Sequence, residues 1–339
     1  MYLFEVQDKS RKDEIPSLWP HELASFRCRL RDVGRRWGEG GWTGASDRTG
    51  MEALHHAIES GCNFFDTAWI YGRGHSEKML GAALRDHPHK KLYVATKVPP
   101  KNRAWPSRRG DRLDAIFPPD HIAEYVEKSL AALGTDSLDL LQFHVWEDAW
   151  ANDQSWMRAV DELKRTKLIG AVGISVNRWE PLNVIDTLKT GLIDSVQVIY
   201  NIFDQAPEDQ LFPLCRELDI GVIARVPFDE GSLTGALSAS TTWLEGDWRA
   251  SYFVPENLVP TVARVEALRA ALPGDAPLAQ TALRFILDND AVSTVIPGMR
   301  SIAHVDANLA CSELGPLTEP LSRLLRQHRW DREPTWWSQ

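Results

Sequence analysis

The chain has 339 residues, 43% hydrophobic and 25% charged, and its 38 Lys and Arg against 47 Asp and Glu leave a formal charge of −9. So acidic a balance argues against a nucleic-acid module, which needs a basic face to hold phosphates, and so ordinary a composition excludes disordered and collagen-like classes for most of the length. The N-terminus turns charged within a few residues and no later stretch approaches ~18 uncharged apolar residues, which speaks against a signal peptide, a membrane span or a membrane partner.

The first 45 residues are atypical. Residues 20–37 hold five arginines and no evident strand. From about residue 48 onward, short apolar runs alternate with amphipathic stretches, the pattern of parallel strands joined by crossover helices. Strands are predicted at 62–66, 92–97, 138–143, 169–175, 195–199, 220–224 and 292–296. Between them, apolar residues recurring at three and four predict helices over 51–59, 76–85, 121–133, 155–164, 208–217 and 278–287. Long loops at 99–119 and 228–255 follow two of these strands. The first loop carries Lys101, Arg103, Arg108, Arg109 and Arg112; the second is rich in Ser, Thr, Gly and Trp. The near-continuous apolar character of the strands favours a (β/α)8 TIM barrel over an open doubly wound sheet. Length divided by ~150 residues suggests two domains, but barrels of ~250 residues or more are single units. The expected division is an N-terminal segment over 1–45, containing a cryptic first strand or none, one barrel over 46–325 and a tail over 326–339. Cys28, Cys62, Cys215 and Cys311 are far apart and form no CxxC pair, which suits a reducing cytoplasm.

Four residues stand at or just past successive strand ends: Asp66, Tyr71, Lys97 and His144. A barrel would bring them to one mouth, its C-terminal face. A phenol with an ordinary pKa of ~10 exchanges protons poorly at neutral pH, but a nearby ammonium favours phenolate. A carboxylate keeps that ammonium charged and oriented, and an imidazole can hydrogen-bond the phenol or a substrate oxygen. Each residue alone has an ordinary structural explanation; the combination makes a proton donor. Trp69 and Trp146 flank two of the four and are expected either to wall a pocket or to pack the core. His87-Pro88-His89 is too isolated for a metal site, and no phosphate-loop motif is present, so no metal is expected.

These residues also carry a resemblance. Gly61-Cys62-Asn63-Phe64-Phe65-Asp66-Thr67-Ala68-Trp69-Ile70-Tyr71-Gly72, followed by Ser76-Glu77-Lys78-Met79-Leu80-Gly81, closely resembles the signature of the aldo-keto reductases. Further matches follow in order at Ala95-Thr96-Lys97, Leu140-Leu141-Gln142-Phe143-His144, Gly173-Ile174-Ser175, Val196-Gln197-Val198-Ile199-Tyr200-Asn201 and Ile296-Pro297-Gly298-Met299-Arg300 with Asn308, so the likeness spans roughly 37–312. It implies a (β/α)8 barrel that binds NADPH and reversibly reduces an aldehyde, ketone or sugar. By the same resemblance Tyr71 is the proton donor, Lys97 and Asp66 lower its pKa, and His144 orients the carbonyl. Ser175, Asn177 and Gln197 are implied to hold the nicotinamide carboxamide, although in many members Asn follows the Ser directly and here Val176 intervenes.

Arg225, Pro227, Phe228, Gly231 and Leu233 fall where the family lines the nicotinamide and pyrophosphate. Gly298, Arg300, His304 and Asn308 fall where it grips the adenosine end, with Arg300 suited to fork onto a 2′-phosphate. In the stretch before this, relatives begin with a strand ending near a Trp-Gly pair, which Trp37-Gly38 fits. Some members of the family serve as cofactor-binding regulatory subunits with little turnover, and this is the alternative function.

Overall fold

The computed structural model describes residues 46–274 and 276–338, together with the backbone of Cys28 and Arg29. Eight strands are described: β1 (Cys28–Arg29), β2 (Phe64–Asp66), β3 (Tyr93–Val98), β4 (Leu138–Phe143), β5 (Ile169–Ser175), β6 (Ser195–Ile199), β7 (Gly221–Arg225) and β8 (Val292–Val295). All neighbours run parallel, in sequence order from β1 to β8, with helices between them, which is the (β/α)8 barrel architecture. Strands β4, β5 and β6 have the expected bounds, and the others differ by one or two residues. β1 lies inside the arginine-rich stretch where the sequence had shown no strand; Cys28 pairs with Phe65 and Arg29 with Asp66. The Trp37-Gly38 pair falls outside the described residues.

Period-two alternation divides the strands into two faces. Phe65, Val94, Leu141, Val172, Ile174, Val196 and Val222 point outward and join the large core beneath the helices. Phe64, Ala95, Leu140, Ala171 and Ile223 form a separate apolar cluster that fills the barrel. One step further along the same inward face come Asp66, Lys97, Gln142 and, on β6, Gln197. Register keeps these side chains level: Lys97 lies opposite Gln142, and Ser175 opposite Gln197. An apolar plug thus supports a polar layer at the C-terminal ends of the strands.

The helices are held by ordinary local chemistry. Ser46 caps the helix Asp47–Glu59 by accepting from the Thr49 N–H at 3.2 Å, with Asp47 in the first turn. Gly134 ends the helix Pro119–Leu133 at φ 70°, a left-handed conformation that costs glycine little. The predicted helix at 208–217 is a 3₁₀ turn followed by the shorter helix Leu211–Glu217. Six described α-helices lie outside the predicted segments: the single turns Leu113–Ile116, Ile185–Leu188 and Arg249–Tyr252, and the longer Pro255–Ala271, Ile302–Ala310 and Glu319–Arg326. Among the described residues, no helix is long and apolar enough to cross a membrane.

Candidate active site

The polar layer is built around one carboxylate. Lys97 Nζ donates to Asp66 Oδ2 at 2.6 Å and to the Thr67 carbonyl at 2.7 Å, and both charged side chains are fully excluded from solvent. The other oxygen, Asp66 Oδ1, accepts from Gln197 Nε2 at 2.7 Å and from Gln142 Nε2 at 3.1 Å. A buried charge is tolerable only when paired and hydrogen-bonded, and Asp66 has both kinds of partner.

This arrangement also determines the amide orientations. A carboxylate accepts only, so both glutamines must turn their NH₂ groups toward it. Gln197 Nε2 further donates to Gln142 Oε1 at 3.1 Å, which leaves Gln197 Oε1 buried without a hydrogen-bond partner among the described residues. A buried unpaired acceptor is costly, and an incoming N–H would satisfy it.

Tyr71 stands in the turn between β2 and the helix His75–Asp86, its N–H bonded to Ala68 O at 3.0 Å. Its ring lies edge-on to His144, centroids 6.0 Å apart, and Lys97 Nζ is 5.7 Å from the ring centroid. His144 follows β4 and its N–H donates to Val98 O at 3.1 Å, tying the ends of two strands together. The structure therefore brings the four tetrad residues to one mouth. Trp105, in the loop after β3, packs edge-on to His144 at 5.6 Å and supplies an aromatic wall.

Of the two tryptophans considered from sequence, Trp146 is core. It is fully buried among Phe143, Trp150 and Trp156, with its indole N–H on Thr187 Oγ1. Trp69 packs edge-on against Tyr125 at 4.9 Å. The basic residues of the 99–119 loop stay exposed, with Arg112 held by Asp114 at 2.6 Å.

The remaining sequence candidates lie along the rims of β5 to β8. Ser175 is buried at the end of β5, level with Gln197. Asn177 spends its amide NH₂ on Trp146 O, Ser107 Oγ and Glu147 Oε1, at 2.9, 3.0 and 3.0 Å. Glu147 in that network is pushed above the usual carboxylate range by burial, against hydrogen bonds from Asn183, Ser107 and Asn177. Arg225, ending β7, donates to Val176 O at 3.0 Å rather than stacking free over the mouth. Pro227 is buried, Phe228 packs partly against the large core, and Leu233 is wholly within it, so Leu233 can meet a ligand only through its backbone. Gly231 sits at φ 108° in the 3₁₀ turn Asp229–Thr234 with no atom within 4 Å of the place a Cβ would take.

After β8, Gly298 is exposed and accepts from Asn308 Nδ2 at 3.5 Å, while Ser301 caps the helix Ile302–Ala310 through the His304 N–H. Burial and the Arg300 charge lower the His304 pKa. Burial alone would raise Asp247, but hydrogen bonds from Arg249 and the charges of Arg249 and Arg300 outweigh it and hold this carboxyl below its usual range. Arg300 thus precedes and His304 lies in the first turn of the helix Ile302–Ala310, and Asn308, further along it, reaches back to Gly298 O.

The profile of the Aldo/keto reductase family matches residues 35–328. The chain belongs to the aldo/keto reductase family. Among its relatives in that family, an oxidoreductase of Bacillus subtilis, YqkF, is 32% identical over 84% of this chain and 89% of its own. The NADH-specific methylglyoxal reductase of Escherichia coli is 28% identical over 86% and 92%. The solved structure of the glycerol dehydrogenase AKR11B4 from Gluconobacter oxydans superposes with a TM-score of 0.70 at 26% identity, covering 90% and 91%.

Gln142 is a member of the layer that its motif alone does not assign to the site. Its position two residues before His144 on an inward-facing strand was the available signal that it shares the layer with Asp66.

Proposed function

We propose that this aldo/keto reductase is an NADPH-dependent enzyme that reversibly reduces a small aldehyde, ketone or sugar, with Tyr71 as proton donor. The observation that carries the proposal is the solvent-excluded Lys97–Asp66 pair beneath Tyr71 and His144. A nicotinamide cofactor fits the layer on its own terms: Gln197 Oε1 is a buried acceptor awaiting a donor, which a carboxamide NH₂ provides. Bound at this mouth, the cofactor supplies a hydride to the carbonyl carbon.

The chain's own residues do the rest. Gln197 and Ser175 hold the carboxamide, and Asp66 and Gln142 keep the Gln197 amide in the required orientation. His144 and Trp105 shape the space in which the carbonyl oxygen points at Tyr71. The Tyr71 hydroxyl delivers its proton to that oxygen, and the Lys97 ammonium stabilises the negative charge left behind. Asp66 prevents Lys97 from swinging away, because its other hydrogen bonds fix it to β4 and β6.

The choice of NADPH rests on Arg300 and the helix N-terminus beside it, a fitting cradle for a 2′-phosphate. One relative is named as NADH-specific, so cofactor choice varies within the family. We read 46–325, together with β1 at Cys28–Arg29, as one catalytic barrel. The described cysteines Cys62, Cys215 and Cys311 are free and buried, and burial pushes the Cys62 thiol up to about 12, which fits a reducing cytoplasm.

The test is a spectrophotometric screen of NADPH oxidation against aldehydes, ketones and sugars. Rapid turnover of one class supports the enzyme. Tight NADPH binding with no turnover across the panel supports the regulatory alternative instead.

A further inference from the structure

The chain leaves β7 through backbone conformations that side-chain-bearing residues seldom adopt: φ is 56° at Val226, 46° at Asp229, 55° at Glu230 and 108° at Gly231. Val226 is β-branched, for which a left-handed conformation is especially unfavourable. Such conformations persist only where surrounding contacts over-determine them, and they concentrate at ligand clamps.

Here the surrounding contacts come from two arginines on other segments, the buried Arg332 and the partly buried Arg178. Asp229 accepts from Ser232 Oγ at 2.7 Å within the turn, and its other oxygen accepts from Arg332 Nη2 at 2.7 Å. Arg332 belongs to the C-terminal tail, and its side chain is only 3% exposed. The same guanidinium forks onto Asp204 in the loop after β6, with Nε at 3.0 Å from Oδ1 and Nη2 on Oδ2. Trp179 and Trp330 sandwich it, their ring centroids 4.6 and 4.7 Å away. Asn201 Nδ2 then joins Asp204 to the strained segment, donating to Asp204 Oδ2 at 2.8 Å and to Val226 O at 3.1 Å. Glu230, the next strained residue, accepts from Arg178 Nη2 at 2.7 Å, and Arg178 lies 4.7 Å from the Tyr252 ring.

The tail is itself docked. The Trp330 N–H donates to Phe203 O at 2.8 Å, and Trp337 packs edge-on to both Trp179 and Tyr252 at 5.7 Å. The expected separate tail is therefore fastened to the loops after β5, β6 and β7.

We propose that Arg332 is a positioning residue for cofactor binding: it holds the 229–235 turn in the shape that receives the cofactor pyrophosphate. This rests on the reading above that the turn lies along a nicotinamide cofactor. Arg332 works through Asp229 and Asp204, and its planar fork lets one side chain reach both carboxylates, which a lysine ammonium cannot do with the same geometry. A tail serving only as a staple would affect stability; a tail that shapes the turn affects cofactor affinity.

The experiment compares the full-length wild type with Arg332→Lys. The Kd for NADPH is read from fluorescence titration, kcat and the carbonyl KM from turnover at saturating NADPH, and backbone hydrogen exchange over 226–235 from mass spectrometry. The expected result is a Kd raised about tenfold or more, a kcat lowered less than threefold, and faster exchange confined to the turn and the tail. An unchanged Kd in folded Arg332→Lys overturns the proposal, as does a kcat loss as large as the affinity loss. Should Arg332→Lys fail to fold, Asp229→Asn, which leaves the Arg332–Asp204 pair in place, is read in the same way with the same two outcomes. Failure of the wild type to bind NADPH overturns the cofactor reading together with this one, whereas equal binding by wild type and variant overturns this one alone.

Discussion

Replacing Lys97 by Met removes an ammonium that is fully buried against Asp66 at 2.6 Å, and takes the ion-pair partner from a carboxylate to which Gln142 and Gln197 still donate. Breaking a buried pair from one side costs about 3–5 kcal/mol, because the remaining charge is stranded in low dielectric. For a barrel of this size the unfolding entropy converts that loss to a fall in Tm of roughly 5–8 °C. The variant is also expected to be inactive, so stability and catalysis fall together. The double variant Asp66→Asn with Lys97→Met separates them. It buries no uncompensated charge and retains only the smaller penalty, about 1–3 kcal/mol, of an unsatisfied Thr67 carbonyl. Thermal melting by circular dichroism should show the double variant several degrees above Lys97→Met, while NADPH oxidation stays lost in both. A double variant that melts at or below the single one would refute the stranded-charge reasoning.

Three further outcomes are expected. A Cβ at Gly81 would lie 2.1 Å from Leu133 O where two helices touch, so Gly81→Ala should lower stability by about 1–3 kcal/mol, seen in urea titration, with turnover per folded molecule retained. Burial raises Glu77 above the usual carboxylate range, against hydrogen bonds from Ser129 and Thr96 and the Lys97 charge. Its folded pKa exceeds the unfolded one, so its contribution is full below the unfolded value and is lost as pH rises through the folded value, at up to ~1.4 kcal/mol per pH unit. Glu77→Gln should therefore gain on wild type in melting temperature from pH 5 to pH 8, and a constant difference would count against this. Arg300→Ala should weaken NADPH about tenfold to a hundredfold and NADH little, by titration of each cofactor, as expected for loss of a charge-assisted contact of about 1.5–3 kcal/mol.

The strands were legible because most are near-continuous apolar runs, and the site because Asp66, Lys97 and His144 stand at or just past the C-terminal ends of three of them. What escaped reading did so for physical reasons. The helix Pro255–Ala271 carries Pro260 inside it and buries two polar side chains, Thr261 donating to Asn257 Oδ1 and Asn257 Nδ2 to Tyr252 O, so its apolar period is blurred. β1 has two residues within an arginine-rich stretch, too short to show alternation. Trp146, two residues after His144, is held in the core by Phe143, Trp150 and Trp156 and by its bond to Thr187, whereas Trp105, which no motif singles out, reaches His144 from the loop after β3. The Arg332 clamp joins residues more than a hundred positions apart, a pairing no local pattern encodes.

The central claim is that a buried lysine-carboxylate pair serves Tyr71 as proton donor to a carbonyl. Its most direct test is the turnover of Tyr71→Phe, which keeps the ring beside His144 and removes the proton, measured against the best substrate of the wild type. The account predicts NADPH binding within about threefold of wild type and kcat lower by about 10²–10⁴. A Tyr71→Phe enzyme that reduces the carbonyl at a near-normal rate would contradict it.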